Sequence, residues 1–298
     1  MKPTRFISII CVALAGLVCG SAIFAQQKRA FLVGISDYGN PREEPDKWGN
    51  ISGANDVAKL TPALQNQGFN VTTLIDSNAT YKNITQGINK LTKQCKSGDI
   101  VYLHFSMHGQ PVEDKNGDEA DGWDEALIPY DAQMHFKKDV YEGQNHLLDD
   151  ELEGILAKIR KKIGPKGQLY VVMDACHSGT MNRGDGDHVR GVRSGFTSNP
   201  EKLYTPDRSQ ETNGYYKLPT KAGQSPVTIM EACRSYQVNK EIRDAKTDTW
   251  YGSLSYYVYE ALQSHSIDGS ADWIEVVKKC MSEDRRLRKQ NMVIESSK

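Results

Sequence analysis

The chain has 298 residues, 38% hydrophobic and 25% charged, with 37 Lys and Arg against 38 Asp and Glu and a formal net charge of −1. That length suits one large domain or two small ones with an ordinary core. The near-neutral balance removes any bulk electrostatic case for nucleic acid or an acidic membrane surface as partner.

At the N-terminus Lys2 and Arg5 precede an apolar stretch from Phe6 to Val18, followed by Ala22, Ile23, Phe24 and Ala25. This is the layout of a secretory signal peptide cut after Ala25, and the apolar run is shorter than the roughly 20 residues that span a bilayer. The sequence therefore predicts an exported protein, periplasmic or secreted, with no stable membrane anchor once residues 1–25 are removed. Cys11 and Cys19 would leave with the signal. Cys95, Cys176, Cys233 and Cys280 would remain, at irregular spacings with no CxxC pair, which encodes neither a disulfide framework nor a zinc site. A bond from Cys95 to Cys280 or Cys233 stays open.

From Ala30 the pattern alternates between strand and helix. Residues 30–35 and 69–75 read as strands, with a helical run over 56–64 between them. Helical spacing returns in Ile84, Ile88 and Leu91, and residues 99–105 form the next strand, with His108 and Gly109 at its close. A charged loop leads to a helix opening on Asp149, Asp150 and Glu151, acidic residues that suit the positive end of the helix dipole. The apolar run Leu169, Tyr170, Val171, Val172, Met173 then reads as a buried strand. Between Asn182 and Ser225 no period persists, so a long loop is expected. Order resumes with a strand at 226–233 and a helix at 252–262. Strands alternating with helices predict an α/β fold whose mainly parallel sheet carries its site at the strands' carboxyl ends.

Asp174-Ala175-Cys176-His177-Ser178-Gly179 arrives at such an end. A thiol there can be a nucleophile if a base and an oxyanion site are nearby. His108 is the candidate base, and the N–H groups of Gly109 and Cys176 are candidate oxyanion donors. His177 is adjacent to Cys176 and so points to the opposite face, while Asp174 shares the face of the thiol. A carboxylate raises a neighbouring thiol's pKa, so Asp174 is better used to pair with a cationic substrate side chain. A structural hydrogen bond at the strand end is the alternative. His104, inside its strand, reads as a packed histidine, and His146 as one in a polar context without partner spacing.

Ser106-Met107-His108-Gly109, Asp174 through Gly179, and residues 121–131 together resemble the motifs of metacaspase-type members of the caspase-like cysteine peptidases. The resemblance runs from the first strand to the helix after Gly252. It implies a three-layer αβα caspase-like fold, with a large-subunit-like part over 26–182, a flexible processing loop over 183–225 and a small-subunit-like part over 226–298. It further implies a Cys176 and His108 dyad cutting protein or peptide substrates after Arg or Lys, a specificity pocket containing Asp174, Asp56 and Ser106, a structural role for Cys233, and self-cleavage in the processing loop. The chemistry needs no cofactor, but calcium-dependent relatives hold the ion with carboxylates matching Asp124, Asp149 and Asp150. Near a further family ligand stand Arg183 and Asp185. The run from Asp114 to Glu125 imitates a calcium loop at its first, third, fifth and twelfth positions but has Glu119 where an EF-hand requires glycine, which reads as a solvated acidic loop. Two rivals are a catalytically silent module on the same fold and a related thiol peptidase directed at Asn or Asp. The acid beside the nucleophile favours basic substrates.

Overall fold

The first strand, β1 (Lys28–Gly34), sends alternate side chains to opposite faces: Phe31 and Val33 enter one hydrophobic cluster, Ala30 and Leu32 another. The same division by parity holds in the strands that flank it, and it builds a sheet buried on both sides. In the computed structural model, which describes residues 26–39, 44, 46–119, 121–176, 189–192, 194–205 and 214–298, this sheet is the centre of the molecule.

After β1 come α1 (Gly53–Asn66), β2 (Phe69–Ile75), α2 (Tyr81–Gln94) and β3 (Ile100–Ser106). A small antiparallel sheet follows, made of β4 (His108–Glu113), β5 (Trp123–Ile128) and β6 (Leu147–Leu148). Then come α3 (Asp149–Ile163), β7 (Gln168–Asp174), β8 (Tyr215–Lys217), β9 (Val227–Glu231), the hairpin β10 (Glu241–Asp244) and β11 (Thr249–Gly252), α4 (Ser253–Leu262), α5 (Asp272–Glu283) and β12 (Val293–Ser296). The main sheet has seven strands in the order β2-β1-β3-β7-β9-β12-β8, parallel except where β12 meets β9.

Helices α2 and α3 cover one face. Ile84, Ile88 and Leu91 of α2 form the expected buried stripe, and the Thr80 hydroxyl caps the helix by accepting from Asn83 N–H at 3.2 Å. Helices α1, α4 and α5 cover the other face, with Leu60, Leu64, Leu254, Val258, Trp273 and Val277 in its core. The fold is therefore a three-layer αβα sandwich with a mostly parallel sheet, as expected.

Several details differ from the sequence reading, among them the small β4-β5-β6 sheet where a charged loop was expected and the β10–β11 hairpin. His108 does not close the third strand: β3 ends at Ser106, and His108 opens β4 in the second sheet. The segment beginning at Asn182 contains an edge strand, β8, whose three residues are too few to show alternation and which exists through pairing with β12. Helix α5 and strand β12 were not expected, although Trp273, Ile274, Val277 and Met281 carry helical spacing. Residues 1–25, and with them the signal peptide, lie outside the described residues. Among the described residues no helix is long and apolar enough to cross a membrane.

Candidate active site

Ser106 and Asp174 end β3 and β7, and they are register partners across the sheet. His108 and Cys176 each follow two residues later, so both leave the same carboxyl edge from neighbouring strands. By strand parity Ser106 and Asp174 face the α1 and α4 side, where Asp56 is buried in the first turn of α1.

The His108 ring is fixed by the loop after β1. It lies between Tyr38 and Trp48, with ring centroids 5.1 and 5.0 Å away, and its main-chain N–H donates to the Tyr38 hydroxyl at 3.1 Å. Nε2 is 2.8 Å from the Gly49 carbonyl. A carbonyl only accepts, so Nε2 carries the hydrogen and Nδ1 keeps its lone pair in the neutral ring. Nδ1 is buried and has no hydrogen-bond partner. Burial pushes His108 down to about 4, against smaller upward pulls from the Gly49 carbonyl and Glu241, so the ring is a neutral base near pH 7. Cys176 is buried, and its thiol donates to the Gln237 carbonyl at 3.0 Å.

The buried carboxylates Asp56 and Asp174 meet a side chain of the protein itself. Arg190 is fully buried. Nε donates to Glu241 at 3.0 Å, Nη1 to Ser106 Oγ at 2.6 Å and the Asp174 carbonyl at 3.2 Å, and Nη2 to Asp56 at 2.7 Å, with Nη2 also 2.9 Å from Glu241 in an ion pair. Burial works against the charged guanidinium, but Asp56, Asp174 and Glu241 outweigh it and hold Arg190 firmly protonated. Burial likewise pushes Asp56 up, to about 7, while Arg190 and Ser106 pull it down. The Asp174 carboxylate is 3.6 Å from Nη1 and is itself fixed, accepting from Asn239 Nδ2 at 2.7 Å and from Ser255 N–H and Oγ at 2.7 and 2.6 Å. Asp174 thus makes the structural hydrogen bonds of the alternative reading, and its cationic partner in this structure is the protein's own Arg190 rather than a separate substrate.

The backbone around Arg190 is equally specific. Val189 bridges Lys240 in antiparallel fashion and Arg190 N–H donates to the Asn239 carbonyl at 3.1 Å, so the segment lies alongside its neighbour as an added strand. The next residue, Gly191, packs against Cys176: a Cβ there would stand 1.9 Å from the Cys176 carbonyl oxygen, so only glycine fits. Gly252 is similarly constrained, because a Cβ would meet Asp174 and Arg190 at 2.3 and 2.4 Å.

His104 is the packed histidine expected from the sequence. Ser255 Oγ donates to Asp174, so it accepts from His104 Nε2 at 3.0 Å, and His104 Nδ1 then accepts from the Tyr102 hydroxyl at 3.0 Å. Gly109 follows His108 on β4, opposite Leu127. Cysteines 95, 176, 233 and 280 are all free, so neither pairing left open for Cys95 is formed. His177, Arg183 and Asp185 lie outside the described residues.

The carboxylates considered for a metal divide differently from the sequence reading. Asp124 groups with Asp114 and Asp118, one oxygen of each lying within 4.8 Å of the others. Asp114 accepts from the N–H groups of Asn116, Gly117 and Glu119 at 2.8, 2.7 and 3.1 Å, which curls the loop around its carboxylate. Asp124 Oδ1 is buried without a hydrogen-bond partner, a donor set that fits a hard cation. Asp150 reaches this loop through Asn116 Nδ2 at 2.9 Å, whereas Asp149 lines, with Asp150, Glu125 and Glu231, a separate cavity of ≈ 380 Å³ against α3.

The sequence reading missed Arg190 as a pocket occupant, along with Glu241, Asn239, Ser255, Gln237, Tyr38, Trp48 and Gly49. Arg190 was legible only as one of several basic residues in a loop, and the others lie outside any local motif.

Residues 28–183, just over half of the chain, match the metacaspase, peptidase C14 domain. The chain belongs to the metacaspase family. It is 34% identical over 166 residues to Metacaspase-7 of Arabidopsis thaliana, covering 52% of this chain and 35% of that protein. Metacaspase-2 of the same plant is 28% identical over 246 residues, covering 80% and 52%. Metacaspase-1B of Aspergillus fumigatus is 32% identical over 165 residues, covering 52% and 36%. The chain thus spans about a third to a half of the length of these relatives. A crystal structure of a protein from Geobacter sulfurreducens has the same fold, with a TM-score of 0.61 over 91% of this chain and 93% of that one at 20% identity. Membership makes this metacaspase a relative of cysteine peptidases, in agreement with the thiol and imidazole at the sheet edge.

Proposed function

We propose that this chain is a cysteine endopeptidase cutting after arginine or lysine, with Cys176 as nucleophile and His108 as base, and that it processes itself between Arg190 and Gly191. One observation carries the reading: an arginine side chain fills a pocket of three carboxylates while the residue after it packs against the carbonyl and Cβ of Cys176. In the proposed reaction the Cys176 thiol turns away from the Gln237 carbonyl, His108 Nδ1 takes its proton as sulfur attacks the Arg190 carbonyl carbon, and the N–H groups of Gly109 and Cys176 hold the oxyanion. His108 then protonates the Gly191 nitrogen, which leaves. Water, deprotonated by the same ring, releases the acyl group. Hydrolysis of short fluorogenic peptides ending in Arg, Lys, Asn or Asp tests this, with intact-mass analysis beside Cys176→Ala. Turnover of basic peptides and a cut after Arg190 only in the active protein support the reading. Turnover of Asn or Asp peptides alone refutes the specificity, and no turnover of any peptide refutes the enzyme.

Calcium belongs to the proposal as a structural ion on the loop of Asp114, Asp118 and Asp124, where it would supply positive charge among repelling carboxylates. It takes no part in the bond-breaking steps. Export after removal of residues 1–25 is carried with it, on the layout of that segment alone.

A further inference from the structure

We propose that Cys176 and Cys233 are a peroxide-sensitive thiol pair that closes reversibly into a disulfide; this rests on Cys176 being the nucleophile for its effect on hydrolysis, but not for the bond itself. Strands β7 and β9 are adjacent and parallel, with Met173 opposite Glu231, and Ala232 N–H still donates to the Met173 carbonyl at 3.1 Å. Continuing that register sets Cys233 level with Ala175, one residue short of Cys176. Strands about 4.8 Å apart with a rise of about 3.3 Å per residue then give a Cα separation of roughly 6 Å, inside the span of about 4.4 to 6.8 Å that a disulfide needs. The side chains converge as well. Both Sγ atoms point at the Gln237 carbonyl, at 3.0 Å from Cys176 and 3.7 Å from Cys233, which brings the two thiols within reach of each other. That contact, with burial, pushes the Cys233 thiol well up, so in the reduced protein it stays protonated and does not compete as a nucleophile.

A nucleophilic thiol is also the one most open to oxidation. The Cys176 thiolate attacks one oxygen of a hydroperoxide, giving Cys176 sulfenic acid and an alcohol, or water from hydrogen peroxide. Cys233 sulfur then attacks the sulfenic sulfur, the S–S bond forms, and hydroxide departs with the Cys233 proton as water. Two electrons pass from the two sulfurs to the O–O bond. The disulfide removes the nucleophile and protects it from the irreversible sulfinic stage, and a dithiol reductant restores both thiols. Gly191 covers Cys176, so the reaction quickens when that segment lifts.

The test treats the full chain and Cys233→Ser with hydrogen peroxide, blocks remaining thiols with N-ethylmaleimide, and maps cysteine peptides by mass without reduction. The expected result is a Cys176 to Cys233 linked peptide in the unmutated chain, and in Cys233→Ser a Cys176 oxidised to sulfinic or sulfonic acid. Activity should fall at least about tenfold in both and return with dithiothreitol only in the unmutated chain. After a cut at Arg190 the two cysteines lie on different fragments, so the bond also joins them on a non-reducing gel. Because the link is read by mass, it is judged whether or not the untreated protein hydrolyses peptides. No linked peptide, a link through Cys95 or Cys280, or equal irreversible oxidation of Cys176 in both proteins overturns the proposal.

Discussion

Arginine and lysine carry the same charge, but the pocket distinguishes them. Glu241 accepts from Nε of Arg190 and forms an ion pair with its Nη2, and an ammonium group has no donor at the Nε position. Peptides ending in Arg should therefore exceed those ending in Lys by at least tenfold in kcat/KM, about 1.4 kcal/mol, and Glu241→Gln should narrow that ratio. An unchanged ratio in the variant would remove Glu241 from the specificity. Cys176→Ala and His108→Ala should each lower kcat by about a thousandfold or more with melting temperature retained, since nucleophile and base act as one unit. The face that Asp174 takes was legible from strand parity, because alternation fixes faces whatever the fold, while Cys176 stood out by its place after an apolar strand. Glu241 was not, because it reaches the pocket only through the β10 hairpin.

The segment 189–192 behaves as an element although it has no periodicity of its own, since its order comes from Asn239, Lys240 and the buried guanidinium. Gly191→Ala should displace it: intact-mass time courses are expected to show self-cleavage slowed by more than about tenfold, the loss expected when a reacting bond is misplaced by about an ångström, while free Arg peptides are cut at least as fast as before. Equal self-cleavage would mean that the bond is cut in another arrangement. The acidic loop offers a second test at this scale. Millimolar calcium should raise the melting temperature of the unmutated chain, and Asp118→Asn, at the exposed end of the loop, should lose most of that rise. The loop resembled a calcium ligand set in sequence but failed the EF-hand pattern at Glu119. The structure gathers its first and fifth positions with Asp124, its eleventh, which an EF-hand does not use as a ligand, because β5 folds back beneath the loop.

Taken whole, the molecule buries several neutral histidines. His146 accepts from the Tyr141 hydroxyl, packs with Gln110, and is pushed by burial down to about 4. Unfolded histidine takes its proton near 6.5, so between about 6.5 and 4 the unfolded chain binds a proton that the folded one refuses, and this site removes stability as pH falls. His146→Gln should accordingly be less stable than the unmutated chain at pH 7.5, with the deficit shrinking by pH 4.5. Chemical denaturation in the presence of a chelator measures both, and a deficit independent of pH would show that His146 is not held neutral.

What the sequence by itself determined were the features set by local physics. Apolar runs of strand length, the stripe of Ile84, Ile88 and Leu91, and the acidic first turn of α3 identified most layers of the sandwich, and strand parity put Asp174 on the face of Cys176. Tertiary structure alone decided the rest. His108 owes its tautomer to Gly49 and its cage to Tyr38 and Trp48, which arrive from a loop some sixty residues earlier. Arg190 meets Asp56, Ser106, Asp174 and Glu241 only because parallel strands and crossing helices bring their ends to one edge. Burying one cation among three carboxylates depends on partners distant in the chain, and no local pattern encodes them.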